Sequence, residues 1–81
     1  MDDAEIYEKL TAIFRTSLGD DTIVLKPETT SHDIPKWDSF RYVDIILSVE
    51  EALNVRIRAR EANKVQNIGE IVALIRAKQA A

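Results

Sequence analysis

The sequence has no cysteine, one histidine, two glycines and two prolines, and each scarcity removes a class of chemistry or architecture. Without cysteine there is no disulfide, no thiolate metal site and no thiol on the chain to carry an acyl group. A single histidine, His32, rules out a histidine dyad or a histidine metal cluster, and its setting reads as a polar loop. So few glycines and prolines favour helices over a turn-rich β architecture. They also leave no glycine-rich loop to cradle a phosphate. No apolar run reaches the roughly 20 residues that span a bilayer. The acidic start, with Asp2, Asp3 and Glu5, lacks the basic head and apolar stretch of a secretory signal, and a cytoplasmic setting is expected. The formal charge of −3 speaks against nucleic acid as the main partner. The carboxylates are scattered as caps and surface charges, which gives paired-carboxylate catalysis no support.

What is present has helical spacing. The 81 residues suit one domain, spanning 1–81, with a single modest core. Ile6, Leu10, Ile13 and Phe14 recur on one side of a first helix over 3–17, with Asp2 or Asp3 as its cap and Gly19 placed for a left-handed terminus. Residues 20–37 form a long connection, and connections of that length are functional or tied down. Ile34 and Trp37 are its expected anchors, with part of Ile23-Val24-Leu25 packed on the bundle. Pro35 restrains the approach to the next helix. After Asn54, the alternation in Val55-Arg56-Ile57-Arg58 reads as an extended turn burying Val55 and Ile57. A short helix from about Ala59 to Lys64 follows. Arg56, Arg58 and Arg60 read as a solvated surface, with a cationic contact site as the lesser alternative. Asn67 and Glu70 make a capping-box variant at the start of the last helix, whose inward stripe is Ile68, Ile71, Val72 and Ile75, with Leu74 at the margin. The sum is an all-α four-helix bundle: three longer helices, a short third one, and a long loop between the first two.

The second helix, from Ser39 to about Leu53, organises the rest. At 100° per residue, Tyr42, Ile45, Ile46, Val49 and Leu53 gather on one side. Phe40, Val43 and Leu47 gather on the other, with Asp44 and Glu51 among them. One apolar stripe is enough to make a core, and a chain of this size buries a limited share of its surface. The second stripe therefore reads as a docking surface, against the alternative of a helix buried on both sides. Asp38 is a natural cap, and Ser39 is then the first helical residue. A phosphate joined there would meet unpaired N–H groups and the positive end of the helix dipole. The plainer alternative is an ordinary surface serine beside a cap.

Asp38-Ser39-Phe40, the apolar helix behind it and Glu50-Glu51-Ala52-Leu53-Asn54 resemble the acyl carrier proteins and related phosphopantetheine-binding carriers. Their hallmark is Asp-Ser-Leu at the start of the second of four helices. Trp37 before the aspartate is similar to many free-standing carriers, and the register holds from Asp38 to Ile75. The resemblance implies a 4′-phosphopantetheine arm, taken from coenzyme A, on Ser39. A phosphopantetheinyl transferase would place it, with Asp38 as a recognition element. The chain itself would then not be an enzyme. An acyl- or aminoacyl-loading ligase and a downstream acyltransferase or synthase would be its further partners, meeting it at Phe40, Val43, Asp44, Leu47 and Glu51. No metal site and no nucleic acid are implied, and a monomer is expected. Three departures from the family pattern point to a specialised pathway rather than housekeeping fatty-acid synthesis. Phe40 stands for the usual leucine, Arg41 for an acidic or neutral residue, and Arg56, Arg58 and Arg60 lie where fatty-acid carriers are acidic. The missing Gly-Gly before the serine argues against a nonribosomal peptide module. The competing reading is a non-catalytic helical interaction module whose serine stays unmodified.

Overall fold

The computed structural model describes residues 2–80. Four helices follow one another: α1 (Asp3–Leu18), α2 (Ser39–Leu53), α3 (Ala59–Lys64) and α4 (Ile68–Ala80). Among the described residues there is no strand, and no helix is long and apolar enough to cross a membrane.

Helix ends are set by side chains that satisfy the free backbone groups every helix leaves at its termini. Asp2, rather than Asp3, caps α1, its Oδ1 accepting from the Glu5 N–H at 2.9 Å. The helix runs one residue beyond the expected Ser17, to Leu18, and stops at Gly19, which has φ 63°. The Asp20 N–H then donates back to the Arg15 carbonyl, closing a Schellman-type end. A Cβ at Gly19 would meet no atom within 4 Å, so glycine is favoured there by the backbone angle and not by space. Asn54 ends α2 in the same way, with φ 53° and the Val55 N–H on the Glu50 carbonyl. At the start of α4, Asn67 Oδ1 accepts from the Glu70 N–H at 2.9 Å. Ala80 is still helical; Ala81 lies outside the described residues.

The core gathers Ile6, Leu10, Phe14 and Leu18 from α1 with Ile45, Ile46, Val49 and Leu53 from α2. Ile68, Ile71, Val72 and Ile75 of α4 close it. Ile13, expected inside, is only partly buried, and Leu18 completes the α1 stripe in its place. The turn at 55–58 buries Ile57, and Val55 in part.

The long connection is tied down at both ends. Ile23, Leu25 and Ile34 are buried, while Val24 points outward. Arg15 Nε donates to the Ile23 carbonyl at 2.9 Å. Farther along, the carbonyls of Thr29 and Pro27 accept from the Ile68 and Gly69 N–H groups, both at 2.9 Å. Two of the free amides that open α4 are thereby satisfied by the loop. A Cβ at Gly69 would sit 3.1 Å from the Pro27 carbonyl oxygen, and that close approach is the reason for a glycine inside a helix. Trp37 is held edge-on against Phe14, with ring centroids 5.0 Å apart, and lies 5.8 Å from Tyr42. Ile34 and Trp37 are thus the anchors, and they deliver the chain to Asp38.

Candidate functional site

The approach to α2 is a tight turn. The Trp37 N–H faces the Ile34 carbonyl at 3.4 Å, Pro35 occupies the second position, and Lys36 follows at φ 74°. Proline and then a positive φ is the pattern of a type II turn. A lysine in that left-handed region costs roughly 1–2 kcal/mol, sustained by the packing of Ile34 and Trp37 on either side.

Asp38 then takes the extended backbone of a cap, and its Oδ1 accepts from the Arg41 N–H at 2.9 Å. Its carbonyl accepts from the Tyr42 N–H at 2.9 Å. These two bonds account for the third and fourth amides of the helix. The N–H groups of Ser39 and Phe40 have no acceptor among the described residues. They flank the side chain of Ser39, which is exposed. An exposed hydroxyl beside two free amides, at the positive end of a 15-residue helix, suits a negatively charged phosphodiester. The Asp38 carboxylate is engaged with its own helix, and no side chain hydrogen-bonds Ser39 Oγ among the described residues.

The two sides of α2 divide as their spacing predicts. Val49 is 0% exposed, whereas Phe40 is 86%, Val43 58% and Leu47 55% exposed. Asp44 and Glu51 stand on the exposed side with them. The structure therefore brings Ser39, Phe40, Val43, Asp44, Leu47 and Glu51 onto one open surface that begins at the cap.

Two features escaped the sequence. Tyr42, read only as an inward residue, is a tie: its hydroxyl donates to the Ala62 carbonyl at 2.6 Å. Ala62 lies in the last turn of α3, where carbonyls lack helical partners, so the phenol fastens α3 to α2. Partial burial pushes the Tyr42 hydroxyl up to about 12. The second feature is a groove of about 270 Å³ opening beside Ser39, lined by Trp37, Tyr42, Gln66, Asn67 and Ile71 among others. A tyrosine three residues after the serine was the available signal for the tie. The groove depends on how the 65–67 turn meets α2, which no local pattern encodes. Among the described residues no group of histidine and carboxylate side chains is arranged to hold a metal ion.

No family model matches the chain, but individual proteins do. It is 33% identical to an acyl carrier protein of Guillardia theta over 82 aligned residues, covering all of both chains. Identity to an acyl carrier protein of Clostridium acetobutylicum is 32% over 72 residues, which is 89% of this chain and 94% of that one. The structure is similar to the solution structure of a holo acyl carrier protein from Geobacter metallireducens, with a TM-score of 0.84 and 36% identity. That match covers 91% of this chain and 85% of the other. With such identity sustained from end to end on a shared four-helix fold, the chain belongs to the acyl carrier protein family.

Proposed function

We propose that the chain carries an acyl or aminoacyl group on a 4′-phosphopantetheine arm joined to Ser39 and presents it to the enzymes of a specialised biosynthetic pathway. The observation that carries this reading is the exposed Ser39 hydroxyl between two free amides at the capped start of α2. When bound, the arm supplies the thiol that holds the cargo as a thioester. The chain's own residues do the placing. Asp38 fixes the helix start and offers its outer oxygen to a phosphopantetheinyl transferase, and the Ser39 and Phe40 amides favour the phosphate charge. Among the described residues no group is set to draw the proton from Ser39 Oγ, so the transferase supplies that base. The chain catalyses nothing itself.

Phe40, Val43 and Leu47, with Asp44 and Glu51 between them, form the face offered to the loading ligase and to the acyltransferase or synthase that follows. The exposure of three large apolar side chains on one side of one helix supports that assignment. Phe40 in place of the family's leucine, and the cations at Arg41, Arg56, Arg58 and Arg60, support a dedicated pathway. We place the protein in the cytoplasm, as a monomer and one domain.

Because the chain has no cysteine, the function can be tested by counting thiols. A thiol reagent finds none on the untreated protein. After incubation with coenzyme A and a promiscuous phosphopantetheinyl transferase it finds one per chain, and Ser39→Ala finds none. A count that stays at zero, under conditions that modify a control carrier, overturns the reading in favour of an unmodified interaction module.

A further inference from the structure

The exposed side of α2 has a neighbour of opposite charge. Residues 56–64 hold four cations, Arg56, Arg58, Arg60 and Lys64, and one carboxylate, Glu61, in a chain whose net charge is −3. The three arginines are exposed. The two ion pairs among the described residues are Arg76–Asp3 and Lys78–Glu61, so the single carboxylate of the segment is held by Lys78. It also accepts from the Arg58 backbone N–H at 3.0 Å. Among the described residues no ion pair engages Arg56, Arg58 or Arg60, although the Arg58 charge also acts on Glu61. Arg58, Arg60 and the Lys78–Glu61 pair frame one open hollow.

The arginines extend the α2 face rather than forming a separate patch. Glu50 Oε2 accepts from the Ile57 N–H at 2.9 Å, and Tyr42 reaches Ala62 from the same helix. Both bonds draw the 57–62 segment along one edge of α2. Val43 lies seven residues before Glu50 and so on that same edge. Arg56 shares an open hollow with Glu50 on that edge, and Arg58 and Arg60 continue the cationic surface from it towards Lys78.

We propose that Arg56, Arg58 and Arg60 dock against an acidic patch on the enzyme that loads the cargo, beside an apolar pocket that takes Phe40 and Val43. This rests on the carrier reading above and adds the chemistry of the partner. A guanidinium group forms two parallel bonds to a carboxylate, and three of them within five residues favour a surface rather than a single small anion. The mixture of signs selects a protein over a polyanion. A nucleic-acid backbone or an anionic membrane is negative throughout and would be repelled by Asp44 and Glu51, whereas a folded enzyme can match both signs.

The test uses the arm-bearing carrier, clarified extract of the native host as the source of loading enzyme, and intact mass as the readout. Arm attachment by the promiscuous transferase is scored first, and a failure there counts against Ser39 and not against the arginines. Neutralising the row (Arg56→Gln, Arg58→Gln and Arg60→Gln together) is expected to slow cargo loading roughly tenfold or more, with the thermal midpoint unchanged. The matching triple lysine variant, which keeps the charge but not the paired bonds, is expected to load at a rate between the two. Added salt slows the wild type and barely affects the glutamine variant. A glutamine variant that loads at the wild-type rate overturns the proposal. So does binding to RNA, or to phosphatidylserine vesicles, that the glutamine variant loses.

Discussion

Two sides of the same helix share an apolar composition and meet opposite fates. On the inner side of α2, Ile45 and Val49 are buried in the core they share with α1 and α4. On the outer side, Phe40, Val43 and Leu47 project into water, separated by Asp44 and Glu51 rather than by more apolar residues. Hydrophobicity alone does not distinguish them. What does is that α1, α4 and the long loop supply enough apolar surface to cover one side only, and the carboxylates make burial of the other costly. Exposed apolar area that stability does not require is what the proposed docking role would use.

Substitutions can break this comparison, and the largest effect belongs inside. Val49→Glu buries an unpaired charge and should cost at least about 4 kcal/mol, a large part of the stability of a protein this small. The expected outcome is loss of the cooperative melting transition by circular dichroism. Next comes the helix start: Asp38→Ala leaves the Arg41 amide without its acceptor and should lower stability by about 1 kcal/mol in urea unfolding.

Tyr42→Phe removes the bond to Ala62, for roughly 1 kcal/mol, and has a distinct pH signature. The Tyr42 hydroxyl sits at about 12 in the fold, against 10.0 for an ordinary tyrosine. The folded state therefore keeps its proton where the unfolded chain releases it. Its contribution is complete below pH 10 and falls away as pH rises towards 12. Urea midpoints across that window should decline more steeply for the wild type than for Tyr42→Phe. Leu47→Glu lies near the bottom of the scale, changing stability by no more than about 0.5 kcal/mol, including the mild repulsion from Asp44 and Glu51 along the helix. It should nonetheless slow loading by the partner enzyme. If Leu47→Glu and Val49→Glu melt alike, the division of α2 is wrong.

Much of this was legible in the chain because it is governed by local rules. Caps at Asp38 and Asn67, the terminator at Gly19 and the periodicity of the three longer helices each depend on residues within a few positions of one another, and the structure keeps the caps, the terminator and most of the stripes. The two stripes of α2 were legible for the same reason. What escaped depends on distant meetings. The Gly69 contact with Pro27 joins residues 42 positions apart in sequence, and no pattern around either glycine or proline announces it. The Tyr42 bond to Ala62 and the groove at Ser39 arise where α2 meets the 62–71 segment. Ile13 was misplaced by a smaller effect: α1 extends to Leu18, whose position four residues after Phe14 claims the core instead.

The central claim is that one hydroxyl, at the exposed and capped start of α2, is the point at which the arm is fixed. Fragmentation mass spectrometry of the protein after incubation with coenzyme A and the promiscuous transferase tests it most directly. The account predicts a mass gain of one 4′-phosphopantetheine group, confined to the fragment containing Ser39 and lost when that residue becomes alanine. A gain on any other residue, or one that survives Ser39→Ala, would contradict it.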